Sequence, residues 1–186
     1  KRIISEQKRP KMIYTIPVFQ NPQGWTLSEQ RRKDILTVTQ RHGVPILEDD
    51  CYADNRYDGE SETSLFNLDD TDSVMYVGSF SKIISPGMSL GYMTAPSSVL
   101  DKVMGIKTGK RVSEFTAMVV EKYAIKYLDS HIEKINSIQR GKRDAMLAAL
   151  GENFGTSAEW SDPSGGLYIW MKLKEGVDMV ELHRKA

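Results

Sequence analysis

The stretch Gly78-Ser79-Phe80-Ser81-Lys82 sets two hydroxyls and an amine directly behind the apolar run Val74-Met75-Tyr76-Val77. A strand that ends this way places a nucleophilic amine beside groups suited to hold a phosphate, which is what a Schiff-base lysine needs. Two further polar clusters also follow apolar runs. Asp49-Asp50-Cys51-Tyr52 comes after Val44-Pro45-Ile46-Leu47, and Asn21-Pro22-Gln23-Gly24 comes after Met12-Ile13-Tyr14-Thr15-Ile16. Taken singly, each has a plain alternative: a surface loop for Ser-x-Ser-Lys, a turn for Asn-Pro-Gln-Gly, and helix caps or a Mg²⁺ corner for the paired aspartates. The magnesium reading leaves Lys82 without a task. Glu48, Asp49 and Asp50 form three adjacent carboxylates behind a buried strand, so at least one of them requires a cationic or protonated partner.

The elements that carry these clusters alternate. Strands are expected at Met12–Ile16, Val44–Leu47, Val74–Val77 and Leu90–Thr94, the last antiparallel to its neighbour after the Pro86-Gly87 turn. Ser28 caps a helix running to about His42 that Gly43 ends, with Leu27, Ile35 and Val38 facing inward and Arg31, Arg32 and Lys33 facing out. Further helices are expected from Ser97 to Lys107, Ser113 to Leu128 and Ser130 to Leu150, with Gly141 as a bending point in the last. Their basic residues Lys134, Arg140, Lys142 and Arg143 read as a solvated face, and His42, His131 and His183 as surface residues. A turn at Asp162-Pro163-Ser164-Gly165-Gly166 then leads to a strand at Leu167–Met171. The pattern predicts an α/β fold of three α/β/α layers around a mainly parallel sheet in residues 1–128, with a long linking helix and the start of a small α+β domain in 129–186. Ligands of such sheets bind at the C-terminal strand ends, where all three clusters fall.

Composition narrows the classes. Lys plus Arg (25) balance Asp plus Glu (25), so no global field points to nucleic acid or an anionic membrane. One cysteine, Cys51, excludes an internal disulfide, and with three scattered histidines it does not supply a zinc site. A reduced, cytoplasmic setting follows most simply. No apolar run approaches the roughly 20 residues of a membrane helix.

Pyridoxal 5'-phosphate suits this set, because an amine that forms an imine with an aromatic aldehyde needs an electron sink with a protonated ring nitrogen. Asp49 or Asp50 would keep that proton in place, Tyr52 and Asn21 would bond the phenolic oxygen, Ser79 and Ser81 would anchor the phosphate, and Lys82 would carry the cofactor and then move the proton. In their order and spacing the three motifs resemble the fold-type I pyridoxal-phosphate aminotransferases of class I and II, over about Tyr14 to Met171. The similarity is greatest to the branch with aminoadipate-type and kynurenine-type aminotransferases and the aminotransferase-like domains of MocR-type regulators. Glu48-Asp49-Asp50-Cys51-Tyr52, Arg56-Tyr57-Asp58-Gly59 and Ser85-Pro86-Gly87 before Leu90-Gly91-Tyr92 carry it.

The resemblance implies transamination between an amino acid and a 2-oxo acid by a homodimer, or cofactor sensing by the effector domain of a regulator whose DNA-binding segment lies outside this chain. It also selects Asp49 over Asp50 for the ring nitrogen and Ser79 over Ser81 for the phosphate. One departure stands out: the family usually has a phosphate-binding Arg seven residues after the lysine, and this chain has Ser89. The family's Gly-rich phosphate turn and the Arg that clamps the substrate carboxylate are not in this stretch, so the chain is expected to be the middle and late part of a longer protein.

Overall fold

The computed structural model of this 186-residue chain describes residues 10–109, 112–174 and 176–185. Four strands form one sheet in the order β1 (Ile13–Thr15), β2 (Ile46–Asp49), β3 (Val74–Ser79) and β4 (Gly91–Thr94). The β1–β2 and β2–β3 pairs are parallel and β3–β4 is antiparallel, so the predicted reversal at the Pro86-Gly87 turn is present. Helix α1 (Glu29–His42) fills the first crossover. Ser28 Oγ accepts the Arg31 N–H at its start, and Gly43 closes it in the left-handed region at φ 58. A short α2 (Leu65–Leu68), capped by Ser64, lies in the second crossover. Leu36, Ile46, Leu65 and Val74 make the buried centre of this layer, packed by Ile13, Ile35, Phe66 and Leu68.

Arg32 departs from expectation, for it is fully buried rather than solvated. Its guanidinium donates to the carbonyls of Leu27 (3.0 Å), Thr63 (3.3 Å) and Pro17 (3.4 Å), and lies 3.7 Å from Glu48 Oε1. Glu48, buried as completely, also accepts the N–H groups of Leu65 and Phe66 at 2.9 and 2.8 Å, which fastens the start of α2 to β2. Burial pushes the Glu48 carboxyl up, while those two N–H donors and Arg32 pull it back down. This is the cationic partner that the run of carboxylates demanded. A one-residue offset on the helix face separates Arg32 from its exposed neighbour Arg31, and the buried acceptor set explains which of the two turned inward.

Beyond β4 come α3 (Ser97–Ile106) and α4 (Glu114–Phe154), a 41-residue helix. The expected break between Leu128 and Ser130 is absent: one helix runs through it, and Ser130, instead of capping a new start, donates its Oγ to the Tyr127 carbonyl at 3.1 Å. Arg143 on α4 is also not solvated: it pairs with Asp58 at 2.7 Å and donates to the Pro163 carbonyl at 2.9 Å. A two-stranded antiparallel unit of β5 (Ala158–Trp160) and β6 (Met171–Leu173) follows, then α5 (Met179–Lys185). The strand expected at Leu167–Met171 therefore begins only at Met171. The preceding residues are tied to the large sheet's loops instead, through Gly166 N–H to Asn55 O (2.7 Å) and the N–H groups of Tyr57 and Asp58 to Ser164 O (2.9 and 3.0 Å).

Candidate functional site

The C-terminal ends of β2 and β3 meet the Asn21 turn in one region. Register decides how the two aspartates differ. Tyr14 pairs with Leu47 across β1–β2, so Tyr14, Leu47 and Asp49 share a face, while Glu48 and Asp50 belong to the opposite one. The contacts agree. Tyr14 Oη donates to Asp49 Oδ2 at 2.6 Å and the Cys51 N–H donates to Asp49 Oδ1 at 3.3 Å. Asp50 Oδ2 instead accepts from Tyr76 Oη at 3.0 Å, and Asp50 Oδ1 is buried with no hydrogen-bond partner. Burial pushes Asp50 up, with the Tyr76 hydroxyl pulling it down. The two carboxylates thus do not converge on one point, and among the described residues no group of three or more His, Cys, Asp or Glu side chains is placed to hold a metal ion.

The lysine loop leaves β3 through Gly78, which faces Tyr92 of β4. A Cβ on Gly78 would sit 2.3 Å from the Tyr92 ring, so only glycine allows that ring to lie across the strand. Ser79 Oγ accepts the Ser81 N–H at 3.2 Å, and the Phe80 N–H bonds the Leu90 carbonyl at 3.0 Å. Three groups fix the backbone behind them: Asn55 Nδ2 donates to Lys82 O (3.3 Å), the Ile84 N–H to Phe80 O (2.8 Å), and His131 Nε2 to Ile83 O (2.8 Å). His131, expected on the surface, is half-buried, and its Nδ1 accepts from Tyr123 Oη at 2.9 Å. Lys82 Nζ lies 5.9 Å from the centre of the Tyr52 ring, and among the described residues it forms no ion pair. Ser89 is exposed, in the left-handed region at φ 47, with its hydroxyl 3.4 Å from Pro86 O.

Tyr52 is buried at 4% exposure, with Val18 and Phe19 beside it. Its hydroxyl lies 3.5 Å from that of Tyr168, the rings meeting edge to face at 5.9 Å. Burial first, and then the Tyr168 hydroxyl, push the Tyr52 phenol up, while the side chain of Asn21 pulls the other way. Phe19 seats against Gly165, where a Cβ would approach its ring to 2.2 Å. Asn21, Asp49, Tyr52 and Lys82 are therefore gathered at the strand ends, and Ser79 and Ser81 share the loop that delivers Lys82. Sequence reading missed Tyr14, Asn55, His131 and Tyr168. Only Tyr14 and Tyr168 left a signal, a hydroxyl on an otherwise apolar run.

A pyridoxal-type group fits this donor set. Asp49 has taken one hydrogen bond on each oxygen, and a carboxylate accepts about four, so room remains for a ring N–H. Among the described residues the Lys82 amine forms no ion pair with a carboxylate, and Ser79 Oγ accepts the Ser81 N–H, as a hydroxyl can while also donating.

The aminotransferase class I and II family matches residues 1–185. Aromatic-amino-acid aminotransferase 1 of Thermococcus litoralis is 38% identical over 97% of this chain and 44% of its own length. An uncharacterized HTH-type transcriptional regulator, YisV of Bacillus subtilis, is 33% identical over 87% of this chain and 34% of its own. The fold superposes with a TM-score of 0.92 on LysN, the α-aminoadipate aminotransferase of Thermus thermophilus, solved with N-(5'-phosphopyridoxyl)-L-leucine. That pair is 30% identical, over 98% of this chain and 48% of LysN. The chain spans less than half the length of these relatives.

Proposed function

The chain belongs to the aminotransferase class I and II family, and on that premise we propose that its parent protein transfers an amino group between an amino acid and a 2-oxo acid, using pyridoxal 5'-phosphate. The observation that carries the reading is the Lys82 amine, without an ion pair among the described residues, beside the Tyr52 ring at the sheet end where Tyr14 holds Asp49. When bound, the cofactor supplies an electron sink for charge left at the substrate's Cα.

This chain's residues supply the rest. With the cofactor bound, Asp49 would hold a proton on the ring nitrogen, Tyr52 and Asn21 would hydrogen-bond the phenolic oxygen, and Ser79 and Ser81 would donate to the phosphate. Lys82 Nζ would hold the cofactor and would be the amine placed to move the proton at Cα, a task for which a flexible amine beside the ring is suited. We assign residues 1–128 to the cofactor-binding domain and 129–186 to the linking helix and a small second domain. We also propose a cytoplasmic homodimer. The lone Cys51 supports the compartment, and the apolar Phe115 and Ile125, each 77% exposed on α4, support association.

The test is spectroscopic and kinetic. The parent protein, incubated with pyridoxal phosphate, should gain the absorbance of a lysine-bound cofactor, and borohydride should fix the adduct on Lys82. An adduct mapped to another lysine overturns the assignment. Amino-acid and 2-oxoglutarate panels then separate the enzyme from the second reading, an effector domain that binds the cofactor without turnover. The 33% identity to an HTH-type regulator, together with Ser89, keeps that reading in view.

A further inference from the structure

We propose that Tyr14 is a positioning residue for Asp49, its hydroxyl holding the carboxylate in the attitude that keeps the cofactor's ring nitrogen protonated. The inference rests on the reading of Asp49 as the ring-nitrogen partner and goes beyond it by naming the group that orients Asp49.

Three observations carry it. First, the Tyr14 contact is short, 2.6 Å to Oδ2, while Oδ1 is held by the Cys51 N–H at 3.3 Å. Two donors on two oxygens fix the carboxylate plane and still leave an acceptor direction on each oxygen. Secondly, the contact crosses strands, from β1 to the end of β2, so the sheet register delivers it. Thirdly, Tyr14 is 56% exposed and belongs to neither buried apolar cluster, so packing does not account for its ring. Tyr76 is the contrast: it reaches Asp50 on the other face while also stacking on Phe66 and Tyr92.

The chemistry follows from the donor. A neutral phenol bonded to a carboxylate favours the ionised form of the acid and weakens its pull on other protons. The Tyr14 hydroxyl itself is pushed up to about 12, by its bond to Asp49 first, then by burial and by the charges of Asp49 and Cys51. It therefore stays a donor throughout the neutral range. Without it, Asp49 keeps only the Cys51 N–H on a freer side chain, and its alignment with the ring N–H loosens.

The experiment uses the full parent protein loaded with pyridoxal phosphate labelled with ¹⁵N in the ring, as wild type and as Tyr14→Phe. The variant should keep binding, with affinity lowered about tenfold, in line with loss of a hydrogen bond to a charged group. Its ring-nitrogen resonance should move toward that of an unprotonated pyridine. The midpoint of the bound cofactor's absorbance titration should rise by about one pH unit, since a less positive ring withdraws less from the attached nitrogen. Wild-type values for the ¹⁵N shift and the absorbance midpoint would overturn the role of Tyr14 while leaving the cofactor reading intact. A wild-type protein that takes up no cofactor would instead overturn the reading of the site itself.

Discussion

The two ends of the proposed cofactor site are built differently. At the β2 end the carboxylates and the phenol each have a side-chain or backbone partner on at least one atom: Tyr14 and the Cys51 N–H hold Asp49, Tyr76 holds Asp50 through Oδ2, and Tyr168 meets Tyr52. At the β3 end the phosphate side offers hydroxyls alone, with Ser79 turned onto its own loop and Ser89 exposed on a left-handed backbone. The contrast teaches where a sheet gives precision without charge. A carboxylate at a strand end inherits its direction from the ladder, whereas a phosphate cradle on a loop depends on donors and charge that the loop must supply.

Removing the amine should break the site altogether. Lys82→Ala in the parent protein should abolish the lysine-bound absorbance and all transamination, and retained absorbance would refute the assignment. Next in size is the carboxylate pair. Asp49→Ala should cost orders of magnitude in kcat, because the sink loses its ring proton. Asp50→Ala should act mainly on stability, since Asp50 faces Tyr76. A mild Asp49→Ala beside a damaging Asp50→Ala would reverse the assignment that register implies.

Ser89→Arg sharpens the comparison from the phosphate side. A charge-assisted bond contributes about 1.5–3 kcal/mol, and the left-handed backbone at Ser89 costs serine and arginine alike, so cofactor affinity should rise by about tenfold or more. Unchanged affinity on titration with pyridoxal phosphate would mean that this loop does not reach the phosphate.

The smallest effect concerns the other end of β3. Asp69 accepts the N–H groups of Thr71 (3.1 Å), Ser73 (2.6 Å) and Val74 (2.9 Å), which locks the entry to the strand. Burial works against its charge, yet the Thr71 and Gln40 side chains and these N–H donors hold it down to about 2. Its folded value lies below the ordinary carboxylate value. The stabilisation is therefore complete above the ordinary range and disappears as pH falls toward about 2. Asp69→Asn should lower stability by about 1–2 kcal/mol near neutrality, with the difference from wild type shrinking in acid unfolding curves. A difference that stays constant with pH would show that the amide reproduces the lock.

Much of this was legible beforehand because the signals are local. Ser28 and Gly43 bracket α1 through cap chemistry that involves only neighbouring backbone, and the alternation of apolar runs with helical periods implies parallel strands whose ends carry the polar clusters. The residue types at Asn21, Asp49, Tyr52, Ser79, Ser81 and Lys82, read in order, were enough to point to one cofactor. What pattern alone left open was every choice between neighbours. Which faces Asp49 and Asp50 take turned on strand register, Arg31 against Arg32 on three carbonyls and a glutamate on β2, and the start of β6 on Gly166 and Tyr168 being held by Asn55 and Tyr52. Side-chain type is written in the chain, but partnership across 35 residues for Tyr14 and Asp49, or 116 for Tyr52 and Tyr168, exists only once the sheet and its loops have closed.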